Sequence, residues 1–460
     1  MAREPDGVAA PGGNRSTQKR THKGRAVRVP TSRSERIGKL GGMMVGVAGE
    51  AALEGLRRIA GRRQFDGSVV LTPGNLQRMR ATLAELRGAA MKLGQLASLH
   101  GDDLLPPELS EVLAGLRNRA DFMPMSQLES VLQNEIGSDW RRRVLELDPE
   151  PLAAASIGQV HSALDTKGNE IVLKVQYPGV ALSIDSDVDN LASLLRWSGM
   201  IPAGLGVDDL LDELKRELHR ETDYLREAEQ TEHFRLLLAG DPEFFVPSVN
   251  WELTRQRILV LDRVHALPIE DLRGAEHPQA LRDRMATALV RLVLRELFEF
   301  GVMQTDPNFA NYLFEPRGER IALLDFGAAR AFPESFVDQY RTLVIAAVEG
   351  RESELLEAAA EIGFANPETG EDSFLDLVRL CAEPLRARGP YDFTDSDLVV
   401  RLRERGWNAY RDETLPTPPA SMLFLNRKLG GTFLLCAHLK ARVDFGQLYR
   451  DWVAGPARTS

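Results

Sequence analysis

The chain has 460 residues, 43% of them hydrophobic, which is enough apolar material to fold and too long a sequence for one ordinary core, so two lobes with appendages are expected. Its net charge of -10 excludes a general nucleic-acid binder, which would need clustered Lys and Arg to hold a phosphate backbone. Cys381 and Cys436 are its only cysteines, so no disulfide framework is implied and a reducing compartment, the cytoplasm, is expected.

Residues 1–40 read as a basic arm, with Arg15, Lys19, Arg20, Lys23, Arg25, Arg28, Arg33, Arg36 and Lys39 set against Glu4, Asp6 and Glu35. Such a segment buries too little apolar surface to order itself. It serves either as a solvated tail or as a contact for anionic lipid or an acidic partner. The start "MAREPDGVAAPGG" lacks the apolar core of a secretory signal. No uninterrupted apolar run approaches the roughly 20 residues that span a bilayer.

Residues 41–143 form a helical extension. "IGKLGGMMVGVAGEAALEGLRRIAGRR" repeats Leu, Met and Val at helical spacing among small residues. Those let another helix or a membrane surface approach closely, or pack in a core. "LTPGNLQRMRATLAELRGAAMKLGQLASL" and "PPELSEVLAGLRN" continue the helical pattern, with Pro107 where a first turn accepts it.

The period changes in residues 144–266. "IGQVHSAL" and "EIVLKVQ" alternate apolar and polar residues around the turn-forming "DTKGN", which predicts an antiparallel hairpin. A helical stretch is expected from Val207 to about Leu238, then two strand-like runs, "FVPSVNWEL" and "QRILVLDRV". Residues 267–460 are mainly helical, interrupted by a short hairpin over Tyr312 to Leu324. The fold class is therefore α+β, a small sheet-containing lobe followed by a larger helical one.

Residues suited to nucleoside triphosphate chemistry occur in an informative order. "AAASIGQV" places Ala153, Ala154, Ala155 and Ser156 at the turn that is glycine-rich in protein kinases. Their Cβ atoms limit how closely the backbone can fold over phosphates. Lys174 sits on the second hairpin strand, suited to contact phosphates. A kinase-type Lys needs an acidic partner, and "HRETDYLREAEQ" offers Glu221, Asp223 and Glu227. On one continuous helix Asp223 and Glu227 share a face while Glu221 points elsewhere, and Glu227 is the expected partner. The long separation of Lys174 from Glu227 leaves room for an inserted helix over Ser183 to Gly199. Asp262 and Val264, closing the next strand, are further candidate nucleotide contacts.

Asp306 and Asn311 keep the D-x-x-x-x-N spacing of a kinase catalytic loop after the apolar "TALVRLVLRELFEFG". Asp325 follows the strand "RIALL" and opens Asp-Phe-Gly. The carboxylate of Asp325 and the amide oxygen of Asn311 are hard ligands suited to Mg2+, and Asp306 stands where a carboxylate would face the reacting end of ATP.

The stretches "MKLGQLASL", "LPPEL", "PLAAASIGQVH", "VLKVQYPGV", "ETDYLREAEQ", "MQTDPNFANYLF", "LLDFGAAR" and "NRKLGGTFLLCAHLKA" together resemble the UbiB family of atypical kinase-like proteins, which includes members that support coenzyme Q biosynthesis. The resemblance spans roughly Met91 to Ala441. It implies a two-lobed kinase-like fold whose N-terminal helical extension packs over the active site. It also implies that Lys92, Gly94 and Gln95 form a K-x-G-Q motif on that extension, and that Glu221 and Asp223 form an E-x-D motif touching it. ATP and Mg2+ are the implied cofactors.

Other residues argue against a protein acceptor. Gln304 and Thr305 replace the His-Arg of a protein-kinase loop, and Asn308 replaces the Lys near the transferring phosphate. Phe332, Pro333 and Glu334 follow Asp325 too soon for a conventional peptide-docking loop. The leading reading is a Mg2+-dependent ATPase assisting ubiquinone biosynthesis through handling of a prenylated precursor. A small-molecule or lipid kinase and a nucleotide-gated scaffold are the alternatives. Candidate partners are ATP and ADP, a prenylated quinone precursor or lipid, ubiquinone biosynthesis enzymes and, through peripheral contact, a membrane surface. Because the C-terminus "DFGQLYRDWVAGPARTS" is polar, that contact is assigned to the Gly/Ala-rich helix at the inner membrane face.

Overall fold

The computed structural model describes Leu83 and residues 86–100, 122–198, 207–363, 371–411 and 419–454. The basic arm, the Gly/Ala-rich segment, "PPELSEVLAGLRN" and the side chain of Gln95 lie outside these residues.

Helix α1 (Arg87–His100) sends Ala89, Ala90 and Leu93 into the core of the first lobe. Helix α2 (Met125–Ile136) buries Leu128, Val131, Leu132 and Ile136, the i, i+3, i+4, i+8 stripe of an amphipathic helix. It ends at Gly137, whose φ of 116° suits a residue without Cβ. Helix α3 (Trp140–Arg143) is a single turn anchored by buried Trp140.

Strands β1 (Ala153–Ala154), β2 (Gly158–Leu164) and β3 (Glu170–Gln176) follow. The β2–β3 turn is held by Asp165, whose carboxylate accepts the N–H groups of Lys167 at 2.8 Å and Asn169 at 2.9 Å. On β3, Ile171, Leu173 and Val175 alternate into the core. The period of two therefore turns Lys174 to the opposite face.

Next come α4 (Val180–Ser198), α5 (Val207–Glu221) and α6 (Tyr224–Leu237). The stretch read as one helix from Val207 to Leu238 is two, broken at Thr222 and Asp223. Asp223 caps α6 by accepting the N–H of Arg226 at 3.1 Å, and a carboxylate that bonds nearby backbone competes with helix continuation.

The run "FVPSVNWEL" does not form a strand of the small lobe. Its first residue closes β4 (Phe244–Phe245), which pairs in parallel with a large-lobe strand. Pro247 cannot donate to a ladder. Asn250 accepts from Leu253 N–H at 3.2 Å in a turn, leaving Val249 one isolated bridge to Leu261. Strand β5 (Ile258–Asp262) completes the antiparallel sheet, ordered β1-β2-β3-β5.

The larger lobe opens with β6 (Leu267–Pro268) and the long α7 (Gln279–Phe298). Strands β7 (Val302–Gln304), β8 (Tyr312–Glu315), β9 (Arg320–Leu323) and β10 (Ala329–Ala331) follow. They form a sheet ordered β4-β9-β8-β6 and a β10-β7 pair, and β8–β9 is the predicted hairpin. The remainder is α8 (Glu334–Glu349), α9 (Glu352–Ile362), α10 (Glu371–Arg386), β11 (Tyr391–Asp392), α11 (Leu398–Arg411), α12 (Ala420–His438), β12 (Arg442–Val443) and α13 (Phe445–Ala454).

One apolar cluster joins α1, α2, the small sheet, α4 and α5. Two more lie in the larger lobe, around α7 with the β8–β9 hairpin and around α8 to α10. The architecture is a two-lobed kinase-like α+β fold, with α1 packed on the small lobe.

Candidate active site

The backbone brings the catalytic loop and the Asp-Phe-Gly segment together. Strand β7 pairs with β10 so that Gln304 faces Ala329. Thr305 then donates both its N–H, at 3.4 Å, and its hydroxyl, at 2.9 Å, to the carbonyl of Ala328. On the other side, Leu324 N–H donates to the carbonyl of Asn311 at 3.1 Å. Asp306, Asn311 and Asp325 therefore emerge from adjacent strand ends. The Asn311 amide donates to the Asp306 carbonyl at 3.4 Å, turning its oxygen away from that contact. Asn308 caps the short turn before Asn311 by accepting from Ala310 N–H at 3.2 Å.

Lys174 meets Glu227 with both carboxylate oxygens, at 2.7 and 2.9 Å, and Asp325 at 3.1 Å. Its ammonium also lies 5.1 Å from the ring centre of buried Tyr224. Burial by itself would lower the lysine pKa, but Asp325 and Glu227 together hold it well above the ordinary value. One ammonium between two carboxylates leaves them unequal. Burial and the charge of Asp325 push Glu227 up to about 7. Asp325 resists its own burial through Lys174 and the Gly327 N–H, which donates to it at 2.9 Å, and stays below the usual range.

A second charged cluster lies against Asp306. Lys92 of α1, 2% exposed, pairs with Glu221 and lies 3.5 Å from Glu217 and 3.8 Å from Asp306. Burial disfavours its charge, yet Glu221, Asp306 and Glu217 raise its pKa overall. From the far side, Arg427 of α12 donates to Glu217 at 2.5 Å and to Asp306 at 3.1 Å. Glu217 is held below the ordinary carboxylate range by Lys92 and Arg427 against the effect of its burial. One turn before Lys92, Gly88 lies so near the Ser156 carbonyl that an added Cβ would come within 3.2 Å. The Ser156 hydroxyl itself donates to Glu221.

The remaining candidates are spread around these clusters. Ala153 and Ala154 form β1, and Ala155 and Ser156 form the turn into β2. Gly94 is buried on α1. Asp223 bonds Arg226 and Gln256. Asp262 closes β5 with an exposed side chain and its N–H on the Ser248 carbonyl, and Val264 lies half-buried two residues on.

Glu217 and Arg427 were not singled out from the sequence, although each carried a signal. Glu213, Glu217 and Glu221 recur every four residues, which marks one face of a helix. Arg427 lies in the quoted "NRKLGGTFLLCAHLKA" stretch without an assigned role.

The donor set fits Mg2+. Asp325 and Asn311 offer hard oxygens, and among the described residues no three His, Cys, Asp or Glu side chains converge as a self-sufficient metal site. A cation here would take its other ligands from phosphate and water, the usual Mg2+ arrangement in phosphoryl-transfer sites.

Comparison with known proteins gives the family. The ABC1 atypical kinase-like domain matches residues 115–359. The chain is similar to the mitochondrial atypical kinase COQ8B of Rattus norvegicus, 40% identical over 92% of this chain and 81% of that one. It is also similar to the mitochondrial atypical kinase COQ8 of Saccharomyces cerevisiae, 38% identical over 92% and 85%. The probable protein kinase UbiB of Marinobacter nauticus is 25% identical over 71% and 60%. Among solved structures, the Rv3197–erythromycin complex from Mycobacterium tuberculosis shares the fold, with TM-score 0.57 and 25% identity over 82% of this chain and 94% of that one. With the kinase-type residues drawn together and the two mitochondrial relatives matched over 92% of its length, the chain belongs to the UbiB family of atypical kinases, the kinase-like enzymes of coenzyme Q biosynthesis.

Proposed function

We propose that this enzyme is a Mg2+-dependent ATPase supporting coenzyme Q biosynthesis through handling of a lipid-like prenylated precursor. The observation that carries the reading is the bidentate Lys174–Glu227 pair with Asp325 at 3.1 Å from the same ammonium, beside an Asp306 that has cations on two sides. Lys174, fixed by Glu227, would meet the phosphates. Asn311 and Asp325 would hold Mg2+, which when bound neutralises charge on the phosphate oxygens. Asp306, oriented by Arg427, would accept the proton of the attacking group. With the Lys92 ammonium 3.8 Å from Asp306, the acceptor is taken to be water instead of a peptide. Peripheral membrane contact through the Gly/Ala-rich segment belongs to the same proposal; among the described residues no helix is long and apolar enough to cross a membrane.

The test is ATP hydrolysis with MgCl2, with and without anionic liposomes and a ubiquinone-precursor-like phenol, beside Asp325→Asn. Turnover that rises with lipid or phenol and is lost in the variant supports the proposal. Nucleotide binding without turnover under every condition would refute it, and a stoichiometric phosphorylated phenol or lipid would identify a small-molecule kinase instead. Flotation with anionic liposomes tests the membrane contact, and failure to float removes it.

A further inference from the structure

Helix α6 holds the Asp-Phe-Gly segment by a route that bypasses Lys174. Beside Glu227, half-buried Arg226 points its guanidinium at the backbone just beyond Asp325. It donates to the carbonyl of Gly327 at 3.1 Å and to that of Ala329 at 2.7 Å. Two turns on, Phe234 stacks on Phe326 with ring centres 4.5 Å apart and planes 27° apart. The root of Arg226 is itself fixed, because its N–H donates to the capping carboxylate of Asp223. Neighbouring residues on one helix thus grip both the side chain of Asp325, through Lys174, and the peptide units that follow it.

In kinase-like sites the metal-holding Asp leaves its position when the peptide units after it rotate and the Phe changes its packing. Here that rotation would turn two carbonyls away from a charged, forked donor and separate two stacked rings. Charge-assisted hydrogen bonds of this kind are the stronger class. We infer that Arg226 is a positioning residue for the metal ligand Asp325, holding the Asp-Phe-Gly segment in its cation-binding arrangement before nucleotide arrives. The inference rests on the assignment of Asp325 as a Mg2+ ligand.

Thermal shifts with ADP alone and with ADP plus titrated MgCl2 separate the possibilities, using the full chain, Arg226→Lys, Arg226→Met and Asp325→Asn. Arg226→Lys keeps the charge but cannot span both carbonyls. In the Arg226 variants the shift with ADP alone should persist, while the Mg2+ concentration for half-effect rises about tenfold, the scale of one lost charge-assisted hydrogen bond. In Asp325→Asn the Mg2+-dependent part should vanish. If it persists there, the metal-ligand assignment fails and takes the inference with it. If Asp325→Asn behaves as expected but both Arg226 variants keep half-effect concentrations within about twofold of the parent, a difference too small for a lost hydrogen bond, the inference alone is overturned. Hydrogen exchange on the unsubstituted chain gives a second reading should the variants fold poorly. Amides of residues 326–331 should be protected without nucleotide and change little when ADP is added. Fast exchange that slows only with nucleotide would overturn the inference.

Discussion

Truncating Lys428 to Met should expose what its partner costs when left alone. Lys428 and Glu296 are 2% and 1% exposed, with Nζ 3.2 Å from the carboxylate, and Lys428 also donates to the Tyr312 hydroxyl at 3.1 Å. At that distance, with an effective dielectric near 20, the Coulomb attraction is about 5 kcal/mol, much of it spent on desolvating both ions. Burial already raises the Glu296 pKa above the ordinary carboxylate range despite the lysine. Without Lys428, the carboxyl can escape its unpaired charge by taking a proton. At pH 7 that costs about 3 kcal/mol for a group that titrates near 4.5 when unfolded, and at pH 6 about 2 kcal/mol. A raised folded pKa means the native state binds a proton the unfolded state lacks, so stability falls as pH rises above about 4.5 toward the folded pKa. Lys428→Met should therefore lose about 3 kcal/mol at pH 7 and less at pH 6, whereas Lys428→Met with Glu296→Leu should recover at least ~1 kcal/mol. Urea unfolding followed by both tryptophan fluorescence and circular dichroism would measure this. A loss that does not change with pH, or a double variant no more stable than the single, would refute the reasoning.

Two further predictions concern other parts of the fold. His161 is 0% exposed, with Nδ1 donating to the Asp148 carbonyl and Nε2 accepting from Gln159, each at 2.7 Å. Its pKa is pushed below the ordinary 6.5 by burial, so stability should fall below about pH 6.5 with a slope up to ~1.4 kcal/mol per unit. Melting curves between pH 5 and pH 8 should show that His161→Gln removes this component, and equal slopes in both proteins would contradict it. At Gly431 an added Cβ would lie 2.1 Å from Cβ of Pro307, the residue after Asp306. Gly431→Ala should thus cost about 1–3 kcal/mol as an overpacked contact, and it should lower ATP turnover more than nucleotide affinity in paired kcat and Kd measurements.

What could be read in advance was the part of the fold written in local chemistry. The β2–β3 hairpin rests on the alternation of β3 and on its turn residues, and the Asp-Phe-Gly segment follows the short apolar run of β9. The break between α5 and α6 also carried a local signal, an Asp three residues ahead of the N–H it caps. The strong helical periodicity of α5 and the helix-favouring residues of α6 obscured it. "FVPSVNWEL" misled in the opposite direction, because its apolar content outweighed one proline and one asparagine that decide the backbone. The charged cluster at Asp306 was legible least. Glu217 and Arg427 are 210 positions apart, so no window of sequence holds both, and only the packing of α5, α12 and α1 brings them into contact.

The acidic row of α5 reaches further than the cluster it helps to build. Glu213 pairs with Arg330 on β10 at 3.0 Å. Glu217 pairs with Arg427 on α12 at 2.5 Å. Glu221 takes the hydroxyl of Ser156 and the ammonium of Lys92. A single helix face thereby ties the small lobe, the large lobe and the N-terminal extension to one rod. Swinging the lobes apart, as a hinged kinase does to exchange nucleotide, would strip buried Glu217 of Arg427, a penalty of several kcal/mol, while the partly exposed Glu213–Arg330 pair would cost less. Opening between the lobes would therefore have to part α5 from Arg330 and Arg427, so resistance to opening is built into a helix face and not into the connecting chain alone.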